Sequence, residues 1–213
     1  MDAKALAFRH FRLFNALIGR NKYKKKGVAI ENRGALLYRC RIQTTGQNNR
    51  VVLGKGTLLK HCTISLFGDN NVVVFGEDCR GNFGDYYLED DGNRLEIGNN
   101  TQFAGKIHLA LTEGTALSIG SDCLFSGNII FRTGDSHPIY DKTTKERINR
   151  AADIRVSDRV WIGYGATILK GAAIPEDCVV ATGAIVTKAF STPGAILAGV
   201  PAKIVKENIS WNV

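Results

Sequence analysis

The sequence predicts an all-β chain wound as a parallel β-helix, and three observations lead there. An aliphatic side chain returns at every sixth position from Val156 to Val186, through Ile162, Ile168, Ile174 and Val180. A second repeat, of 22 residues, precedes it. RCRIQTTGQNNRVVLG (39–54) lies over HCTISLFGDNNVVVFG (61–76), and the step continues through Leu53-Gly54, Phe75-Gly76, Ile97-Gly98 and Ile119-Gly120. The 23 glycines among 213 residues suit a coil full of tight corners. Neither an α-helix nor a plain strand has a period of six. One short strand plus a corner does, so three such units make one turn of a triangular coil.

Each element follows from these repeats. Beside the large aliphatics of the six-step stand small or thin residues, Val160, Ala166, Ala172, Cys178 and Ala184, as a filled interior requires. In the longer repeat, Val51, Val73, Leu95 and Leu117 lie two before each register point and share its face by strand alternation. The six-step survives inside these coils, in Ile97, Phe103, Leu109 and in Ile119, Phe125, Phe131. The longer coil is therefore three hexapeptides with extra residues at one corner. Gly46-x-Asn48-Asn49 and Gly68-x-Asn70-Asn71 supply that corner, because Gly and Asn accept positive φ, and the stacked asparagines predict a hydrogen-bonded ladder.

The span from Ile119 to Ile162 reads as nearly two further long steps. Within it the six-step stops after Phe131 and resumes at Val156. Between them GDSHPIYDKTTKERINRAAD (134–153) is polar and charged, which predicts an external loop. Long insertions on rigid scaffolds tend to carry function. At the other end, Ala7, Phe11, Phe14 and Ile18 fall on one helical face with Phe8 and Leu17 beside them. This predicts an amphipathic helix over about 3–19, ended by Gly19, that caps the open first coil. Its aromatics and the Lys22–Lys26 cluster also suit peripheral contact with an anionic membrane surface. The tail STPGAILAGVPAKIVKENISWNV is broken by Gly and Pro and ends in a short basic segment with helical potential. The organisation expected is an N-terminal helix and cap (1–26), a β-helix domain (27–190) and a tail (191–213).

Composition narrows the function. No apolar run approaches the roughly 18 residues of a membrane span, and the N-terminus lacks a secretory signal, so the cytoplasm, or the inner face of its membrane, is the expected location. Cys79, Cys123 and Cys178 occupy small inward positions and no C-x-x-C pair exists, which reads as buried structural thiols. The formal charge of +8 favours a polyanionic partner. The basic residues divide among helix, loop and tail, so no nucleic-acid face is expected. Of the four histidines, His10, His61 and His108 do not cluster with His137, which speaks against a three-histidine zinc site; no metal is expected. His137 alone sits at the mouth of the loop.

The repeats together with DSH (135–137), VWIG (160–163), GAIVTK (183–188) and AGVPAK (198–203) resemble the hexapeptide-repeat acyltransferases over about residues 40–206. Within that group they look like the acetyl-CoA-dependent O-acetyltransferases of galactosides, maltose and capsular polysaccharides. The resemblance implies a left-handed coil, opposite to the usual crossover hand. It implies a homotrimer with active sites between subunits, acetyl-CoA as acyl donor and a saccharide hydroxyl as acceptor. Matched residue by residue, it makes His137 the general base. It sets Trp161, at the family's spacing from that histidine, against acetyl-CoA across the subunit boundary, pointing outward. Contacts to CoA fall to Gly163, Tyr164, Thr182, Thr187, Lys188, Lys203 and Lys206, where the pantetheine arm needs small residues and free backbone and the phosphates need cations. The family often carries Arg where Lys203 and Lys206 stand and a small residue where Tyr164 stands. Asp135 or Asp141 is expected to orient the imidazole. Arg132 and Arg147, with Lys142, Lys145, Arg150 and Arg155, are expected to face the acceptor. The His–Trp spacing is shared with enzymes that acetylate sialic acid polymers, which points to an acidic capsule glycan. The competing readings are an acyltransferase for a small sugar, antibiotic or amine, and a non-catalytic β-helix scaffold.

Overall fold

The computed structural model describes residues 6, 8–23 and 26–212. It is a left-handed parallel β-helix with three faces. The first face stacks eight strands, from Lys22–Tyr23 to Ile185–Val186; the second stacks seven, from Val28–Asn32 to Ala173–Ile174. The third stacks nine, from Leu36–Tyr38 to Ala202–Lys206. Among the described residues no helix is long and apolar enough to cross a membrane.

Register follows the repeats closely. Arg41 lies beside Thr63 and Leu53 beside Phe75, one 22-residue step apart. The step lengthens once, to 23, where Asp85 meets His108. The last coils step by 18, as in Trp161 beside Val179 and Arg155 beside Ala173. The interrupted region is one coil of 37 residues rather than two long steps: Ile119 pairs with Val156, and Ile162 stacks on Phe125. The loop leaves and rejoins a single turn, so the apolar columns pass it unbroken.

The extra corner of the long coils is held from inside. Asn71 N–H donates to Asn49 Oδ1 at 2.7 Å, Asn93 N–H to Asn71 Oδ1 at 2.9 Å and Thr115 N–H to Asn93 Oδ1 at 3.1 Å, all buried. Asn48 and Asn70 take the positive φ expected of them. A parallel ladder of Thr57, Cys79, Thr101 and Cys123 runs along another corner. All five cysteines are buried and free. Burial pushes the Cys123 thiol up to about 11 and raises those of Cys79 and Cys178 too, so these three stay protonated and inert at neutral pH.

On the third face the inward column runs Leu59, Gly81, Phe103, Phe125, Ile162, Val180. The gap at Gly81 is filled from the first face by Tyr86, whose hydroxyl lies 3.1 Å from where a Cβ on Gly81 would stand. That hydroxyl is fully buried and has no hydrogen-bond partner among the described residues.

The ends depart from expectation in two ways. The helix runs α-helically through Phe11–Leu13 and then widens to a π-turn over Phe14–Ile18, closed by Gly19 N–H donating to Phe14 O. The wider turn rotates Ile18 off the expected face, leaving it and Leu17 exposed. Ala7 and residues 1–5 lie outside the described residues. The helix meets the first coil through polar groups. Asn15 donates to Ala35 O and accepts from Leu37 N–H, both at 2.8 Å. Asn21 donates to Leu37 O and accepts from Cys40 N–H, both at 2.9 Å. Gly19 is required by close approach, since a Cβ there would lie 2.5 Å from Leu37 O. At the other end the basic tail segment is a strand and not a helix. Ala202–Lys206 turns back antiparallel on Ile196–Gly199, supplying that edge with its missing ladder partner.

Candidate functional site

The loop is built around one asparagine that the repeat pattern did not single out. Asn149 is 7% exposed. Its amide donates to Asp135 Oδ2 at 2.9 Å and to His137 O at 2.8 Å, and its oxygen accepts from Ile139 N–H at 2.6 Å. Lys170, arriving from the next coil, donates to Asp135 Oδ2 at 2.5 Å and to Asn149 O at 3.1 Å. Further out, Tyr140 and Arg147 form an antiparallel bridge, so the loop is a small hairpin pinned at its mouth. His137 stands exposed beside that mouth.

The two carboxylates expected to orient His137 are otherwise engaged. The Lys170 ammonium, then the Asn149 amide, hold Asp135 below the usual carboxylate range. Asp141 accepts from the backbone N–H groups of Thr143 and Thr144, which lowers it likewise and closes the hairpin tip. Arg147 pairs with Glu113 across the mouth and lowers that carboxyl. It acts as a loop tie, whereas Arg132 donates to the Ser136 hydroxyl, at 2.9 Å.

Beside His137 lies a cavity of about 520 Å³ on the outside of the first face. Outward side chains of three neighbouring strands make its floor: Asp85, Tyr87 and Glu89, then His108 and Ala110, then Arg132. Tyr87, Ala110 and Arg132 are lateral neighbours, so the hollow exists because a methyl stands between two long side chains. Ser136 and His137 form the rim. Asp85 and His108 are also lateral neighbours, and Asp85 Oδ2 lies 2.9 Å from His108 Nδ1. The 22-residue period sets Tyr86 beside His108; only the 23-residue step brings Asp85 there.

Trp161 occupies a different face. It is 38% exposed on the third face, its ring 6.2 Å from that of Trp211, whose indole N–H donates to Arg159 O at 2.8 Å. Within one chain His137 and Trp161 are thus not brought together. Gly163, Tyr164 and Thr182 do share one corner: a Cβ on Gly163 would lie 2.7 Å from Thr182 N, and the Tyr164 ring lies over Gly127 while its hydroxyl accepts from Asn128. Lys203 and Lys206 are exposed on the last strand of the third face. Thr187 and Lys188 follow the last strand of the first face, with the Lys188 ammonium 5.5 Å from the centre of the Phe190 ring. Among the described residues no three His, Cys, Asp or Glu side chains gather as a metal-binding group.

No family model matches the chain. Solved structures do. The crystal structure of the polySia-specific acetyltransferase NeuO is 30% identical with a TM-score of 0.81, covering 91% of this chain and 88% of that one. The polysialic acid O-acetyltransferase OatWY is 31% identical with a TM-score of 0.82, covering 91% and 90%. In sequence, 84 residues are 43% identical to the polysialic acid O-acetyltransferase of Escherichia coli O1:K1 / APEC, 39% of this chain and 27% of that protein. A further 36% identity over 80 residues links it to the Neisseria meningitidis polysialic acid O-acetyltransferase, 38% and 37% of the two lengths. The match therefore spans little more than a third, at most, of these curated relatives.

Proposed function

Because the chain belongs to the hexapeptide-repeat O-acetyltransferase family that these two structures represent, we propose that it moves acetyl from acetyl-CoA to a hydroxyl of a sialic acid polysaccharide. The observation that carries this is the likeness over nine-tenths of the fold to two proteins named for that reaction. His137 takes the hydroxyl proton as the oxygen attacks the thioester carbonyl, and the imidazolium returns it to the leaving thiolate when the tetrahedral intermediate collapses. Trp161 lies against the donor. The shared corner of Gly163, Tyr164 and Thr182 receives the pantetheine arm. Lys203 and Lys206, with Thr187 and Lys188 further along, meet the nucleotide phosphates.

His137 and Trp161 lie on different faces, so the site is completed between neighbouring copies in a homotrimer. The exposed Ile139, Tyr140 and Ile148 of the hairpin support such an interface. In this reading the enzyme works in the cytoplasm at the inner membrane face, and the exposed Leu13, Leu17 and Ile18 support contact with lipid. No metal takes part in the scheme.

Incubation with acetyl-CoA and polysialic acid, followed as free-thiol release, tests the reading. Release with the glycan and none with His137→Ala is expected; no release with any saccharide, or full activity in that variant, overturns it. Mixing His137→Ala with Trp161→Ala subunits tests the shared site, because heterotrimers regain one intact site and homotrimers do not.

A further inference from the structure

We propose that the cavity above Asp85 and His108 is the acceptor subsite, and that His108 is a second functional imidazole that binds a hydroxyl of an acidic sugar whose carboxylate rests on Arg132. This deepens the proposed function and rests on it. A carboxylate in contact with one ring nitrogen fixes the other. Asp85 accepts only, so in the neutral ring His108 Nδ1 carries the proton toward it, at 2.9 Å, and Nε2 is left as an acceptor. Among the described residues Nε2 has no partner. His137, by contrast, has no carboxylate on its imidazole among the described residues, because Asp135 and Asp141 are spent on the loop.

The remaining lining is divided, with carboxylates at one end and a cation beside the rim. Tyr87 offers an aromatic face for the apolar side of a pyranose ring. Asp85 and Glu89 offer acceptors for hydroxyls, and Arg132 supplies the cavity's single guanidinium. Arg132 already donates to Ser136, one residue before His137, so a carboxylate bound there sits next to the base. About 520 Å³ is within the ordinary range for a small-ligand site. All of these groups stand on strands of a rigid face, which holds an acceptor hydroxyl at a constant distance from the rim.

Steady-state kinetics with acetyl-CoA and oligosialic acid decides the matter. In His108→Ala the acceptor KM is expected to rise about tenfold, the loss of one polar contact, while the KM for acetyl-CoA stays put. His108→Gln, whose amide oxygen can accept where Nε2 did, is expected to recover part of that loss. Arg132→Ala is expected to raise the KM for oligosialic acid but not for its carboxyl methyl ester. Unchanged acceptor KM in both His108 variants, with wild-type activity present, overturns this proposal and leaves the parent reading standing. Absence of wild-type transfer overturns the parent reading instead. The outward position of His108 leaves the core untouched, and an unchanged Tm separates a binding loss from misfolding.

Discussion

The coils before the loop and those after it solve the same corner in opposite ways. The long coils before it add residues at one corner and then bury Asn49, Asn71, Asn93 and Thr115 to satisfy the backbone they added. Glycine there is forced by contact: a Cβ on Gly46 would stand 1.9 Å from Gly68 O. The 18-residue coils after the loop carry no such ladder. Their corner glycines Gly165, Gly171 and Gly183 have positive φ but nothing within 4 Å of a Cβ. The first region uses its side chains to hold itself together. The second stays spare, and its open corners are the ground on which the proposed donor residues stand.

Substitutions sharpen this contrast. The largest effect is expected at His137 beside the junction: His137→Ala should lower kcat by about a thousandfold with the Tm unchanged, within the range of general-base contributions. Next, Gly46→Ala should abolish folding or lower stability by more than about 3 kcal/mol, since backbone oxygen must move, whereas Gly171→Ala should cost only about 1 kcal/mol for its φ. Equal losses in chemical denaturation would break the comparison. Within the long coils, Asn71→Ala strands Asn93 N–H and Asp90 O on the next coil and should cost about 2 kcal/mol.

Acid should act on the junction before either region. Asp135 and Glu113 are held below their ordinary values by Lys170 and Arg147, so their contribution is present above about pH 4 and is lost as pH falls through the lowered values. Hydrogen exchange should show residues 134–153 loosening while the coils stay protected. The smallest effect is expected at Tyr86→Phe, which removes a buried hydroxyl with no partner and should leave Tm level or slightly higher.

Most of the coil was legible because its signal is periodic. The apolar columns, the Asn corner and the buried thiols each repeat at a fixed step. What a period cannot carry is where it slips. The extra residue that moves Asp85 beside His108 breaks the count, so the repeat does not pair this carboxylate with this imidazole. The 37-residue coil looked like two steps because Ile162 was read over Ile119 instead of over Phe125. Asn149 and Lys170 have no periodic signature, and their importance is visible only once Asp135 lies between them. The tail strand escaped because its basic segment is shaped by the open edge of Ile196–Gly199 and not by its own propensity. The helix lost Ile18 to a π-turn that no apolar spacing announces.

A solenoid of this kind has no intrinsic reason to stop. Each turn presents the next with a row of waiting amides and carbonyls, and an unguarded row invites a neighbour's backbone to continue the stack. Asn15 and Asn21 answer that row with side chains spaced to imitate one more strand, meeting Ala35, Leu37 and Cys40 in turn. They work as a terminator: two amides end a templating surface without adding a turn. A chain lacking both would keep its core and yet present a bare strand edge at its first coil, the kind of edge on which end-to-end association starts.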